Sequence, residues 1–153
     1  MCCWRFYYAG LRVSELCDLR WRDVQPHGGS VVLAIHGKGQ KTRFVKLKDD
    51  VAAQLQQLRD EHVAPDVPVF RSRKKGGALV SVQVFRIVKA AALRAGLPAE
   101  VCPHWLRHAH ASHALDRGAP ISLVQATLGH ASVQTTGKYT HARPNDSSSR
   151  YLP

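Results

Sequence analysis

The sequence predicts a mainly α domain carrying a small antiparallel three-stranded β-sheet. Apolar residues recur at helical spacing over most of the chain, β-rich runs are confined to the stretch from Trp21 to Leu47, and Pro and Gly stand where helices start and stop. The chain has 153 residues, room for one compact domain, since single domains commonly run to about 100–150 residues. We expect one domain over 1–153, with no internal repeat and no linker that divides it.

The elements follow in order. Leu11, Val13, Leu16 and Leu19 support a short helix through about Leu19, after which Trp21 to Val24 turns extended and Gly28-Gly29 punctuates the chain. Val31 to Ile35 and Thr42 to Leu47 are β-rich runs flanking Gly37-Lys38-Gly39-Gln40-Lys41, a hairpin-type loop signal that places Lys38 at or near a tip. Asp49 or Asp50 can cap a helix with Val51, Leu55 and Leu58 at helical spacing, ending near His62 before Pro65 and Pro68. Arg71 to Gly77 has four cations, two glycines and no apolar period, and reads as a basic loop. Ser81 caps a helix bearing Val84, Phe85, Val88, Ala92 and Leu93 and closed by Gly96. Pro103 starts another that stops near Gly118, and Pro120 starts one that Gly129 terminates. Ser132 can cap a last short helix leading to Tyr139, and the serine-rich stretch 144–153 is expected to be a flexible polar tail.

Composition narrows the function. Lys plus Arg number 22 against 11 for Asp plus Glu, a formal charge of +11, which points to a polyanion, with nucleic acid the leading candidate. A membrane partner is not expected: no run approaches the roughly 20 apolar residues that a span needs, and no long basic amphipathic helix stands out. Met1 to Tyr8 carries only Arg5 and lacks a continuous apolar region, so it does not read as a signal peptide. Cys2, Cys3, Cys17 and Cys102 form no C-x-x-C pair, which suits reduced thiols in a cytoplasmic protein. His104 and His108 have the i, i+4 spacing of helix-borne metal ligands, but Trp105 stands where a metalloprotease helix carries Glu, and no metal is expected.

The residues that remain form a chemical set. His104 and Arg107 lie three apart on one predicted helix, Leu128-Gly129-His130 is followed nine residues later by Tyr139, and Arg12 lies far upstream. Two guanidiniums, two imidazoles and a phenol suit attack by a tyrosine on a phosphodiester. Each has a plainer reading: Arg12 can pair with Glu15 one turn on, and a tyrosine near a chain end is often a packing residue, as Tyr7, Tyr8 and Tyr151 are read. His62, His108, His113 and His141 read as ordinary histidines.

Four separated motifs carry a family resemblance: GLRVSEL at 10–16, GKGQKTRFV at 37–45, HWLRHAHASHAL at 104–115 and LGHASVQTTGKYTH at 128–141. In this order and spacing the chain resembles the catalytic domain of the tyrosine recombinases, the phage integrase and Xer-like group, over nearly its whole length. The resemblance implies the DNA breaking-rejoining fold and site-specific recombination or integration through a 3′-phosphotyrosyl intermediate. Arg12 and Arg107 would clamp the phosphate, whose charge a planar guanidinium fork matches. Tyr139 would be the nucleophile, and because a phenol with pKa near 10 is mostly protonated at neutral pH, His104 would accept its proton. His130 would hydrogen-bond the phosphate or assist proton movement, and Lys38, between the two glycines of its motif, would protonate the departing 5′-oxygen.

Lys41 and Arg43 could take that lysine's role or bind backbone phosphates, and Arg73, Lys74 and Lys75 would bind DNA. Glu15 would orient Arg12 or be a solvated helix carboxylate. The implied partners are double-stranded DNA and other recombinase protomers, without cofactor, since the covalent intermediate conserves the phosphodiester energy. Family members also have an N-terminal helical domain, and Arg12 stands close to Met1, so the expectation is a catalytic domain truncated at its N-terminus. A DNA-binding remnant without activity and a type IB topoisomerase-like enzyme are the competing readings.

Overall fold

The computed structural model describes residues 7–37, 41–73 and 76–129. Helix α1 (Val13–Asp18) follows a helical turn at 7–9 and leads through a 3-10 turn, Trp21–Asp23, into strands β1 (Val24–His27), β2 (Ser30–His36) and β3 (Thr42–Lys46). Helices α2 (Asp49–Gln56), α3 (Ser81–Arg94), α4 (Pro103–Asp116) and α5 (Ile121–Leu128) complete the described elements. The sheet is antiparallel in the order β1-β2-β3, with Leu33 opposite both Val24 and Val45. Pro26 sits in β1, an edge strand, where its missing N–H breaks no interior ladder.

The core has two parts. The larger gathers buried side chains from α1, the sheet, α2 and α3, among them Leu16, Ile35, Leu55 and Val84. The smaller lies between α4 and α5, where Ala111, Val124 and Leu128 are buried together. Burying a leucine or valine contributes about 1.5–3 kcal/mol, so the second cluster supplies several kcal/mol to dock α5, the helix that ends just before His130. Among the described residues no helix is long and apolar enough to cross a membrane.

Four details differ from the sequence expectation. Trp21–Asp23 is a 3-10 turn and not extended: the Asp23 carboxylate accepts from the Arg20 N–H at 3.0 Å, while the Trp21 and Arg22 N–H groups donate to the carbonyls of Val67 and Pro65. Helix α2 stops at Gln56, short of His62, because Leu58 and Arg59 turn back to Leu55 and Gln56 in i→i−3 bonds, leaving Leu58 exposed and Arg59 over the Trp21 ring at 5.6 Å.

Neither Asp49 nor Asp50 caps that helix; Lys48 holds the cap position, and both acids lie in the first turn, where the helix dipole favours them. Ser81 is the first residue of α3 and not its cap: Val80 stands there, and its N–H donates to Gln83 Oε1 at 3.0 Å. The expected starts at Pro103 and Pro120 and the stop at Gly129 match the structure. The helix expected from Ser132 to Tyr139 and the tail at 144–153 lie outside the described residues.

Candidate active site

The site is organised around the C-terminal end of α5. The last carbonyls of a helix have no partner within it and carry partial negative charge. Here three guanidiniums from three other elements take them up. Arg43, on β3, donates from Nε to the Thr127 carbonyl at 2.8 Å; Arg107, on α4, donates from Nη2 to Leu128 at 2.5 Å; Arg12, at the N-terminus of α1, donates from Nη2 to Gly129 at 3.2 Å. Arg107 also donates to the Gly10 carbonyl. It is 5 % exposed, so the two expected clamp residues differ: Arg107 is sunk beneath the site, and Arg12 is 44 % exposed at its side chain.

Two glycines make this convergence possible. Gly129 has φ +64°, the left-handed conformation that ends α5, and a Cβ there would stand 3.1 Å from Cδ and Nη1 of Arg43. Gly10 has φ +59°, and a Cβ would meet the Leu128 side chain at 2.8 Å and the His110 ring at 3.1 Å. Both positions need an unusual backbone, and a side chain at either would press on its neighbours. His110 in turn donates from Nδ1 to the Tyr7 carbonyl at 2.7 Å, tying α4 to the turn before Gly10.

Glu15 is the counter-charge. Its side chain is 5 % exposed, which excludes the solvated helix carboxylate. The Arg12 N–H donates to Oε2 at 2.7 Å and Arg12 Nη1 to Oε1 at 2.8 Å. Arg43 adds a parallel fork, Nη1 to Oε1 at 2.8 Å and Nη2 to Oε2 at 2.7 Å. Burial pushes the Glu15 carboxyl up, but the hydrogen bonds from Arg43 and Arg12 and the Arg43 charge outweigh it and hold the pKa at about 2, against 4.5 ordinarily.

The expected site residues are therefore divided. Arg12, Glu15 and Arg107 meet around one helix end. Arg43, expected to bind backbone phosphates or replace Lys38, is turned inward, its side chain 13 % exposed and engaged with Glu15 and Thr127. Its internal role was missed, and so was that of Gly10. Lys41 and Arg73 are exposed. His104 is exposed on the first turn of α4, its ring edge-on to His108 with centroids 4.2 Å apart. Lys38, His130, Tyr139, Lys74 and Lys75 lie outside the described residues. Among the described residues no group of three or more His, Cys, Asp or Glu side chains could hold a metal ion.

Comparison with known proteins gives a consistent result. The profile of the phage integrase family matches residues 3–146. The chain is 42 % identical over 137 residues to the tyrosine recombinase XerC of Xanthomonas axonopodis pv. citri, covering 89 % of this chain and 44 % of that protein. It thus spans less than half the length of that relative. Among solved structures it is similar to the XerH site-specific recombinase bound to difH substrate, with a TM-score of 0.78 and 30 % identity over 97 % of this chain and 43 % of that one. It is also similar to the catalytic domain of bacteriophage HP1 integrase, with a TM-score of 0.66 and 25 % identity over 93 % of this chain and 73 % of that one. With the fold of that catalytic domain and a family match over most of its length, the chain belongs to the phage integrase family, the tyrosine recombinases.

Proposed function

We propose that this chain cleaves and rejoins duplex DNA in site-specific recombination, with Tyr139 as nucleophile. The observation that carries the reading is the meeting of Arg12 and Arg107 at successive carbonyls, Gly129 and Leu128, immediately before His130. The exposed Arg12 guanidinium, held in place by the protein's own backbone above the buried charge of Arg107, is preorganised for the oxygens of a phosphodiester, where charge builds in the transition state. Tyr139 attacks the phosphorus, the 5′-oxygen leaves, and a 3′-phosphotyrosyl bond replaces the broken phosphodiester. The phenol proton passes to His104, Lys38 protonates the departing oxygen, and His130 hydrogen-bonds the phosphate. Reversal with a different 5′-hydroxyl joins a new strand without added energy. Arg12 is the clamp's exposed arm, and Arg107, with its guanidinium on two backbone carbonyls, fixes the floor on which it rests.

The partners under this reading are double-stranded DNA and further recombinase protomers. The net charge of +11 supports the first, and similarity to the XerH recombinase bound to difH substrate supports it as well. A cytoplasmic setting with reduced thiols accompanies it. Lys41, Arg73, Lys74 and Lys75 are the cations we assign to backbone phosphates.

The test is covalent capture. A library of duplexes with randomised sequence and one nick at a fixed position is incubated with the chain, and DNA that stays attached to protein in detergent is recovered. Wild-type protein is expected to yield adducts and Tyr139→Phe none, with DNA affinity nearly unchanged. An adduct that persists in Tyr139→Phe removes the nucleophile assignment; binding without any adduct leaves a DNA-binding remnant in place of the enzyme.

A further inference from the structure

Glu15 faces two arginines, and they do not share it equally. Arg43 spends a complete fork on it, one nitrogen to each oxygen at 2.8 and 2.7 Å, and a third donor on the Thr127 carbonyl. Arg12 reaches the carboxylate with a single side-chain nitrogen, at the same Oε1 that Arg43 already occupies; among the described residues its only other side-chain bond is to the Gly129 carbonyl, and the guanidinium stays largely exposed. We propose that Arg43 is a positioning residue for Arg12: by occupying both oxygens of Glu15 it prevents that carboxylate from closing its own two-pronged pair with Arg12, and so leaves the Arg12 charge available to the scissile phosphate. The proposal rests on the function given above.

The charge count explains why a second arginine is needed. A buried carboxylate must be compensated, and one guanidinium alone would be drawn fully onto it. With Arg43 present the group of two guanidiniums and one carboxylate keeps a net positive charge, and the surplus lies at Arg12, the more exposed of the two, with 44 % against 13 % exposure. Geometry adds a second link. Arg43 lies on β3 opposite Ile35 of β2, so its contacts fasten the β2–β3 pair to α1 and α5 together. Its side chain also packs within 3.1 Å of where a Cβ of residue 129 would be, against the left-handed turn at Gly129.

The experiment uses a duplex recovered by covalent capture and measures single-turnover adduct formation at saturating DNA, the DNA dissociation constant and the melting temperature. Arg43→Gln should slow adduct formation about tenfold or more while changing the dissociation constant by less than about threefold, a small effect on the ground state. Adding Glu15→Gln to it should recover several-fold in rate, because no carboxylate is left to capture Arg12. Where Arg43→Gln does not stay folded, Arg43→Lys takes its place: it keeps the charge but cannot span both oxygens, and it should be slowed and rescued in the same way.

Adduct formation at the wild-type rate in the single variant overturns the proposal. So does a folded double variant no faster than the single one, which would make Arg43 a fold-stabilising residue only. Wild-type protein that gives no adduct overturns the functional reading itself, and the inference with it; an adduct in wild type and Arg43→Gln alike overturns the inference alone.

Discussion

Glu15→Gln isolates the charge at the centre of the site, and its effect follows from the geometry. The carboxyl falls from 4.5 to about 2 on folding, burial being outweighed by Arg43 and Arg12. At about 1.4 kcal/mol per pH unit this drop makes the ionised form worth about 3 kcal/mol of folding free energy. Because the folded value lies below the unfolded one, the contribution is complete above pH 4.5 and is lost as the pH falls towards 2. Glutamine keeps the shape but turns an NH2 donor against a guanidinium that has only donors. The variant should therefore be about 3 kcal/mol less stable at neutral pH, and the gap should close as wild-type protein is acidified through that window. Urea unfolding of both proteins, followed by circular dichroism in steps from neutral to acid, measures it. A gap of constant size across the window, or a variant as stable as wild type at neutral pH, would refute the account of the Glu15 network.

Gly10→Ala combines a left-handed φ with a Cβ 2.8 Å from the Leu128 side chain, and should cost about 2–4 kcal/mol; an unchanged melting temperature would refute the close approach. Burial pushes the His110 pKa down, the bond to the Tyr7 carbonyl opposes this, and Arg107 adds to it. Its ring should therefore titrate below 6.5 by NMR, and the stability it lends, intact above 6.5, should fall as the pH drops below that value. A ring titrating above 6.5 would contradict this environment. Arg107→Lys keeps the charge but cannot fork onto the Gly10 and Leu128 carbonyls. Loss of about 1–3 kcal/mol and of adduct formation is expected by melting and covalent capture, and full activity would show that one donor suffices.

What was legible in the sequence was local. Pro103, Pro120 and Gly129 act on their own backbone, so α4 begins at Pro103 and α5 runs between Pro120 and Gly129. The runs Val31 to Ile35 and Thr42 to Leu47 carry their own periodicity and turn signal, so the paired strands match. The 3-10 turn at Trp21 was not legible, because its N–H groups are satisfied by carbonyls at 65 and 67, distant in the chain. The site divides the same way. Arg12 and Arg107 are readable from their motifs, whereas Arg43 beside a basic hairpin reads as a surface cation. Its partners, Glu15 and Thr127, are 28 and 84 residues away. One signal was available: Glu15 adjoins Leu16 and Cys17 on a short helix, and an acid among buried apolar neighbours needs a cation from elsewhere.

The three guanidiniums at the end of α5 also determine how the site can be dissected. Each neutralises a carbonyl that the helix leaves open, so each supports the docking of α5 whatever it does for a phosphate. Removing one therefore changes the exit of the chain from Gly129 towards His130 along with the local charge, and a fall in activity alone does not distinguish the two. Arg107, buried on two carbonyls, is where the effects are most entangled; Arg12, exposed and held by one side-chain bond to Glu15, is where they are least so. Substitutions at Arg12 should thus lower the rate at saturating DNA with little change in melting temperature, whereas those at Arg107 should lower both. The contrast follows from burial, because an exposed guanidinium that leaves is replaced at Gly129 by water, and a buried one leaves its carbonyls without a donor.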